Sequence, residues 1–448
     1  MNKKLIKQAF VVNEGKIEVA DVLISGERIS LVADQISDPN AEIINAEGLY
    51  LLPGMIDDQV HFREPGLAHK GTIYTESRAA IAGGITSFMD MPNTIPNTLT
   101  LELLEKKYDL ASQSSLANYS FFMGITKDNF EEALKTNTEN VCGVTDDGLY
   151  FHNDEGILAN YPDFLEKIFS RMDTLIALHS EDDGIIHENM IKYTRKFGEE
   201  IPFELHPEIR SEKACFTATK RVLEIAKKYN NRLHLFHIST ASEVSLFDNT
   251  IPIEKKRITA EACIHHLWFS DSDYKKLGWR IKWNPSIKKQ EDKEGLLSGL
   301  INNHIDIIAT DHAPHTEEEK LNTYLKSPSG GPLVQHALPA ILELFHQGKI
   351  KLETIVEKMS HNVAEAYRII DRGYIRESYY ADLVLVDMSN SWVVGKENLL
   401  YKCGWSPMES QAFKSRVVKT IVNGKVVYDN GVFNENHKGK RLLFSKFR

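Results

Sequence analysis

The chain has 448 residues, of which 42% are hydrophobic and 26% are charged, a balance typical of a soluble globular protein. Its formal net charge of −10 argues against a nucleic-acid partner, which would require a basic surface. No stretch approaches the run of about 18 apolar residues that a membrane span needs, so we expect no membrane insertion. Four widely spaced cysteines without a CxxC pair, and the lack of an apolar signal segment after Met1, predict a cytoplasmic protein.

Both ends of the chain predict β-strands. Short apolar runs at 5–12, 20–25 and 29–33 are separated by turn residues, and the runs at 381–387 and 417–422 repeat this pattern. Asn423-Gly424 between two valine-rich segments is a strong hairpin signal. We therefore predict a small β-sandwich domain assembled from residues 1–53 and 375–448.

The middle of the chain, residues 54–374, alternates short apolar strands with amphipathic helical patterns. The predicted parallel strands are 51–61, 85–91, 119–125, 141–146, 175–179, 233–238, 258–263 and 305–310. Helical patterns lie between them at 101–110, 130–134, 161–171, 214–229 and 296–302. Eight such units predict an α/β fold of the (β/α)8 TIM-barrel type. The alternative, a doubly wound sheet, lacks its glycine-rich loop after the first strand.

Polar side chains follow nearly every predicted strand, which is where a TIM barrel carries its chemistry. In chain order they are Gln59, His61 and Arg63; Asn93; Asp146 and Asp147; His179 and Glu181; His237; His265 and His266; Asn284; and Asp311 with His315. Any one of these histidines alone is more often a structural group, and Asp-Asp-Gly alone is usually a turn. Burying so many polar groups in one cavity without compensation would be costly. A divalent metal removes that cost, and histidine nitrogen with aspartate oxygen suits zinc.

Seven motifs carry a family resemblance. They are His61-Phe-Arg-Glu-Pro-Gly66, Met91-Pro-Asn-Thr94, Thr145-Asp-Asp-Gly148, His179-Ser-Glu-Asp182, His237-Ile-Ser-Thr240, Asn284-Pro285 and Ala309-Thr-Asp-His-Ala-Pro-His315. In order and spacing they resemble the dihydroorotases of the amidohydrolase superfamily over nearly the whole chain. The resemblance implies a hydrolase of cyclic amides that interconverts N-carbamoyl-L-aspartate and L-dihydroorotate, both small anions, in de novo pyrimidine biosynthesis.

The resemblance also implies roles for individual residues. His61 would hold a first metal, Asp147 would bridge two metals, His179 and His237 would hold the second, and Asp311 would ligate the first and shuttle protons. Arg63, Asn93 and His315 would bind the substrate, and Asn284, Ser329 and Gly330 would complete its pocket. The family further implies one or two zinc ions per subunit, metal-activated water or hydroxide as the nucleophile, and a homodimer.

Gln59 departs from the family pattern Asp-x-His-x-His, because it stands where the first histidine is usual. An amide oxygen is a weaker zinc ligand than imidazole, so we expect Gln59 to be a weak ligand or a non-ligand. Three alternatives follow: one metal, two metals with the first one labile, or no metal and no activity. A second departure, Lys288 in place of the usual arginine, weakens the case for a catalytic role at that position.

Three functions therefore remain open. The first is dihydroorotase, which Arg63 favours because a guanidinium binds a carboxylate that uncharged hydantoins lack. The second is another cyclic amidohydrolase, such as an allantoinase or a hydantoinase. The third is a non-catalytic, metal-poor homologue that binds a partner enzyme, and Gln59 is its main support. Residues 70–75 and 317–332 are candidates for lids over the site.

Overall fold

The computed structural model describes residues 3–149 and 157–446. These residues form a closed barrel of parallel strands surrounded by helices, together with a β-sheet domain built from both chain ends. The predicted α/β fold with a TIM barrel is confirmed. Within the described ranges, no helix is long and apolar enough to cross a membrane.

The strands are β1 Lys3–Asn13, β2 Lys16–Ser25, β3 Arg28–Ala33, β4 Ala41–Asn45, β5 Tyr50–Pro53, β6 Met55–Val60, β7 Ile85–Asp90, β8 Asn118–Phe121, β9 Met123–Gly124, β10 Val144–Thr145, β11 Ile176–Leu178, β12 Leu233–Leu235, β13 Ile258–Cys263, β14 Ile307–Ala309, β15 Leu383–Asp387, β16 Trp392–Val393, β17 Ala412–Phe413, β18 Arg416–Val422, β19 Lys425–Asp429 and β20 Val432–Phe433.

The α-helices are α1 Ile73–Ala82, α2 Leu101–Ser114, α3 Phe130–Ala133, α4 Pro162–Arg171, α5 Asp183–Phe197, α6 His206–Ile209, α7 Glu212–Tyr229, α8 Ala241–Val244, α9 Ile264–Trp268, α10 Tyr274–Leu277, α11 Gln290–Ile301, α12 Glu317–Lys320, α13 Ala337–His346, α14 Leu352–Val356 and α15 Asn362–Tyr367. Short 3-10 turns occur at Leu158–Asn160, Phe203–Leu205, Ile253–Lys255, Asp271–Asp273, Gly278–Ile281 and Lys396–Asn398, and a π-helical turn at Glu357–His361.

The barrel strands pair in parallel in two runs, β6 to β8 and β9 to β14. A parallel bridge between Val60 and His312 joins the first run to the end of β14 and closes the ring. Each of the eight predicted strands is present. The third is divided into β8 and β9 at Phe122, whose backbone N–H donates to the carbonyl of Asp90 at 3.1 Å.

The first predicted strand, 51–61, proves to be two strands in different sheets. β5 belongs to the β-sheet domain and β6 opens the barrel, and the chain passes from one to the other at Gly54. The N–H of Gly54 donates to the carbonyl of Asp382 at 2.7 Å. A Cβ atom at position 54 would lie only 2.1 Å from Oγ1 of Thr86, so a side chain cannot be accommodated at this crossing. The apolar pattern gives no sign of the break because both halves are buried.

The β-sheet domain takes strands from both chain ends, as predicted. β1 pairs with β2, β4 and β5, and β15 pairs with β5, so that the two ends of the chain share one sheet. The predicted hairpin is formed by β18 and β19, with Asn423 and Gly424 both at positive φ. The boundaries of the two predicted domains stay a prediction, and residues 1–2 and 447–448 of the first lie outside the described residues.

Asp382 connects the β-sheet domain to the barrel. Its side chain is 4% exposed, and it accepts hydrogen bonds from the N–H of Asn423 at 2.8 Å and from Nδ2 of Asn118, in β8, at 3.1 Å. It also forms an ion pair with the buried Arg372. One carboxylate, directly before β15, therefore holds the β18–β19 hairpin and barrel strand β8 together.

We predict that Asp382→Ala lowers the free energy of unfolding by about 3–5 kcal/mol, because it leaves the Arg372 guanidinium buried without its carboxylate. Urea denaturation followed by circular dichroism would measure the change. Asp387→Ala, at the half-buried end of β15, removes only bonds to Ser389 and is the matched control, with an expected cost of about 1 kcal/mol. Equal losses in the two variants would contradict the prediction.

Candidate active site

Five of the predicted ligand side chains lie on one rim of the barrel. His61 follows β6, Asp147 follows β10, His179 follows β11, His237 follows β12 and Asp311 follows β14. Parallel strands present their carboxyl ends at the same rim, so these residues converge although they are far apart in the chain. Each is at most 5% exposed.

Asp147, His179 and His237 form a group that could hold a metal ion. Their candidate ligand atoms all lie within 4.8 Å of one another. Nδ1 of His179 is 3.0 Å from Nε2 of His237, and Oδ1 of Asp147 is 3.6 Å and 3.9 Å from these two nitrogens. Two imidazoles and a carboxylate directed at one point fit a divalent cation.

Glu181 fixes the orientation of the His179 ring. Nε2 of His179 donates to Oε2 of Glu181 at 2.9 Å, and Arg210 holds the same carboxylate at 2.8 Å. A cation bound beside Asp147 and His237 would displace the proton from Nδ1 and take its lone pair, while the Nε2 proton stays with Glu181. Burial opposes a charged ring, but the carboxylates of Asp147 and Glu181 outweigh it and raise the pKa of His179 to about 9. The local field therefore attracts positive charge, which also fits a bound cation.

His61 lies between two carboxylates on the other side of the group. Its Nε2 is 3.1 Å from Oδ1 of Asp311 and 3.3 Å from Oδ2 of Asp147. Its Nδ1 is 2.8 Å from Oδ1 of Asn93, an acceptor that places the ring proton on Nδ1. Because a carboxylate can only accept, Nε2 also carries a proton. Burial opposes the charged ring, but the bonds to Asp147 and Asp311 raise the pKa of His61 to about 9. A second cation between these groups would take the place of the Nε2 proton.

Gln59 contacts the same carboxylate as a hydrogen-bond donor. Its Nε2 is 3.3 Å from Oδ2 of Asp147, and its Oε1 accepts from the thiol of Cys263 at 3.4 Å. Both polar ends of the amide therefore have partners in the protein. That Gln59 is a weak ligand or a non-ligand stays a prediction.

Three residues of the site have a strained backbone. Arg63, His237 and Asp311 have φ angles of 73°, 37° and 46°, which residues other than glycine rarely adopt. Such conformations cost free energy and persist where the surrounding structure fixes them. They turn the chain sharply after the strands, and the side chains of Arg63 and Asp311 reach the wall of a single cavity.

That cavity has a volume of about 280 Å³. All six predicted substrate residues line it: Arg63, Asn93, Asn284, His315, Ser329 and Gly330. His61, Asp147 and Asp311 line it as well, so one member of the metal-ligand group, Asp147, reaches the same space. The structure thus brings the predicted residues together, while their individual roles stay predictions. Lys288 lies apart, donating to the carbonyl and hydroxyl of Ser286.

Sequence reasoning gave no site role to several residues of the cavity wall, among them Lys70 and Trp283. Nε1 of Trp283 donates to the carbonyl of Asp311 at 3.1 Å, and its ring stacks on His265 with centroids 4.5 Å apart. Its position directly before Asn284 was a usable signal. Lys70 was placed in a candidate lid because only its charge and the adjacent glycine were visible in the sequence.

The two candidate lids are tied down by hydrogen bonds. The segment 70–75 runs into helix α1, which Thr72 caps by accepting from the N–H of Thr75. In 317–332, Lys320 is fully buried and donates to the carbonyls of Lys282, Pro328 and Gly330 at 2.8–3.4 Å. A lysine thereby shapes the loop that carries the pocket residues Ser329 and Gly330.

A second buried group, Asp58, His234 and Glu261, supports the site from inside the barrel. Nε2 of His234 is 3.3 Å from Asp58 and 3.1 Å from Glu261. Burial raises the pKa of both carboxyl groups well above the usual range, which favours their neutral forms. Glu261 also accepts from the N–H of His237 at 3.1 Å, so the group fixes the backbone of a ligand residue.

Comparison with known proteins agrees with this geometry. Residues 50–427 match the model of the amidohydrolase family. A dihydroorotase from Bacillus pumilus is 31% identical, with 95% of this chain and 98% of the relative covered. A dihydroorotase from Lactococcus lactis is 33% identical, with 95% and 99% covered.

Solved structures show the same fold. An L-hydantoinase from Arthrobacter aurescens superposes with a TM-score of 0.89 at 24% identity, covering 97% of each chain. A dihydropyrimidinase from Brevibacillus agri gives a TM-score of 0.86 at 23% identity, covering 99% of this chain and 100% of its own. The predicted resemblance is confirmed: the chain belongs to the amidohydrolase family and is a relative of the dihydroorotases.

Proposed function

We propose that this chain is a dihydroorotase, which interconverts N-carbamoyl-L-aspartate and L-dihydroorotate. The observation that carries the proposal is that Asp147 of the metal-ligand group, Asp311 and Arg63 line one cavity of about 280 Å³. The relatives that cover nearly the whole chain bear this name. The hydantoinases and the dihydropyrimidinase are less similar in sequence and bear on the fold alone.

The metal of the proposal is zinc, held by Asp147, His179 and His237. A divalent cation bound there supplies Lewis acidity to a carbonyl oxygen and lowers the pKa of water. Because Gln59 already donates to Oδ2 of Asp147, we infer one firmly held metal per subunit. His61 is then free to remain hydrogen-bonded to Asp311.

Asp311 has the position of the proton carrier. Its carboxylate lines the cavity and lies 3.1 Å from Nε2 of His61. In ring opening, the oxygen of water bonds to the amide carbonyl carbon and the bond from that carbon to the ring nitrogen breaks. Asp311 takes the proton from water and delivers it to the leaving nitrogen. In ring closure the same transfers run in reverse and water leaves.

Arg63 has the position to bind the substrate's carboxylate. Its Nε donates to the carbonyl of Pro314 at 2.9 Å, which fixes the plane of the guanidinium. Burial lowers the pKa of Arg63 to about 10, so the group stays charged at neutral pH. Asn93, Asn284 and His315 supply further polar atoms around the same space. A fixed guanidinium in a buried wall favours an anionic ring over a neutral one.

Gln59, a poor metal ligand, supports a second candidate function: a metal-poor homologue that binds a partner enzyme. Metal analysis of the purified protein separates the two, because the binding protein would hold no zinc and gain no activity from added zinc or cobalt. The third candidate, an allantoinase or hydantoinase, is tested by assaying those substrates beside carbamoyl-aspartate. We also infer a homodimer from the family resemblance, to be tested by light scattering.

Asp311→Asn should abolish turnover of both carbamoyl-aspartate and dihydroorotate, because an amide cannot carry the proton. Circular dichroism and thermal unfolding should match the wild type. Turnover is followed by the ultraviolet absorbance of dihydroorotate in both directions. Near-normal rates in this variant would rule out the proposed mechanism, and a wild type active only on hydantoin or allantoin would rule out the proposed substrate.

Gln59→His should raise the metal content from one ion toward two per subunit, because imidazole replaces an amide that now donates to Asp147. Elemental analysis after dialysis against trace zinc measures the content independently of activity. Gln59→Glu adds a carboxylate of nearly the same shape and is the matched comparison. A wild type that already holds two ions after dialysis would contradict the inference of one metal.

Glu181→Gln should weaken metal binding by about 10–100-fold, because it removes the carboxylate that orients His179. Competition with a chromogenic chelator measures the affinity. Glu243→Gln is the control, since Glu243 is also buried but its side chain accepts from Thr219, Thr240 and the N–H of Ser239, none of which is a proposed metal ligand. Equal affinities in the wild type and Glu181→Gln would show that Glu181 does not orient the ligand.

A further inference from the structure

The cavity has two walls of opposite charge. The metal-ligand wall carries the carboxylates of Asp147 and Asp311, and the facing wall carries the cations Arg63 and Lys70 with His315 between them. The sequence motifs account for Arg63 and His315. They leave Lys70 without a role.

Lys70 is held in the cavity wall by three contacts. Its backbone N–H donates to the carbonyl of Leu67 at 3.0 Å, which closes a turn just before helix α1. Its Nζ lies 3.0 Å from Nδ1 of His315 and 3.2 Å from Oε1 of Glu319. The side chain is 13% exposed. A flexible surface lysine would not show this combination of burial and fixed partners.

The ammonium of Lys70 determines which nitrogen of His315 carries the proton. Lysine can only donate hydrogen bonds, so Nδ1 of His315 must accept. Burial and the nearby cations hold the pKa of His315 well below the usual range, so the ring is neutral and its one proton sits on Nε2. Nε2 then donates to the carbonyl of Ser329 at 3.0 Å. Nη2 of Arg63 lies 3.1 Å from the same nitrogen and can only donate, so it favours the opposite tautomer. The bond from Lys70 to Nδ1 and the bond from Nε2 to Ser329 outweigh that preference.

Positive charge on this wall exceeds the negative charge that offsets it. Glu319 contributes one carboxylate, which Lys70 shares with His69. Arg63 and Lys70 therefore face a single carboxylate. Lys320 and Lys282 behind the wall donate to backbone carbonyls, and burial lowers the pKa of both, that of Lys282 to about 7, so they do not count as full charges. A cavity wall of this kind attracts an anion and penalises a neutral ligand, which would leave the charges unpaired.

We propose that Lys70 is a specificity-determining residue that selects a carboxylate-bearing substrate, by adding charge beside Arg63 and by holding His315 with its proton on Nε2. The carboxylate accepts from Arg63, and the Nε2–H group that Lys70 maintains holds the carbonyl of Ser329 in the cavity wall. Lys70 acts partly through His315, so it is in that respect a positioning residue. This proposal rests on the proposed dihydroorotase function and adds a substrate determinant to it.

Lys70→Met should raise KM for both carbamoyl-aspartate and dihydroorotate by about tenfold or more, as expected for loss of a charge-assisted bond. kcat should change by less than about threefold, because the reacting atoms keep their partners. Lys70→Gln retains a hydrogen-bond donor for Nδ1 of His315 but no charge, so its KM should lie between the values for the wild type and for Lys70→Met. Lys293→Met, which removes a half-buried lysine bonded to the carbonyl of Trp268, should leave both constants unchanged.

Nitrogen-15 spectra of histidine-labelled protein, with His315→Gln to assign the signal, report the proton position without turnover. We expect the Nε2–H form of His315 in the wild type and in Lys70→Gln, and its loss in Lys70→Met. A KM within about twofold of wild type, or an unchanged spectrum in Lys70→Met, would overturn the proposal.

A wild type that converts neither substrate would instead overturn the proposed function. Loss of the Nε2–H form in Lys70→Met would then still support the link between Lys70 and His315. The kinetic constants and the nitrogen-15 spectra are independent measurements, so failure of the proposed function can be distinguished from failure of the Lys70 proposal.

Discussion

The carboxylate of Asp147 sets the main constraint on this molecule, because it is buried among groups that compete for its two oxygens. His179 and His237 approach Oδ1, while His61 and Gln59 approach Oδ2. A buried carboxylate is tolerated only when it is paired and hydrogen-bonded. Parallel strands that end at one rim supply the partners, and the rest of the structure keeps those strand ends in register.

Several contacts hold these partners in place from behind. Glu181 and Arg210 fix the ring of His179, and Glu261 binds the backbone of His237. Backbone strain at His237 survives only because such contacts over-determine the position. The β-sheet domain contributes through Asp382, which holds the start of β15 against barrel strand β8. The domain built from the chain ends thus helps to position the strand ends that carry the chemistry.

The sequence predicts the strands and the strand-end residues well, since apolar runs that stop at polar side chains are local features. It does not predict the change of sheet at Gly54, which depends on a close approach to Thr86 from another strand. Nor does it predict that Lys70 faces His315, a contact that spans 245 positions. The importance of Gln59 is visible in the sequence, but its bonds to Asp147 and Cys263 exist only in the folded chain. Contacts between residues that are far apart in the chain cannot be predicted from a single sequence.

The separation of charge across the cavity also explains how selectivity and reactivity can be set by different residues. In the proposed function, Asp311 and the metal-ligand group would act on a carbonyl and a nitrogen, which every cyclic amide possesses. Arg63 and Lys70 would act on a carboxylate, which only some of those rings carry. A neutral ring would leave buried cations without a partner, and that penalty discriminates more strongly than a difference in shape. Changes in the cationic wall can therefore alter the preferred ring while the opposite wall is retained, as expected of a fold that supports several related reactions.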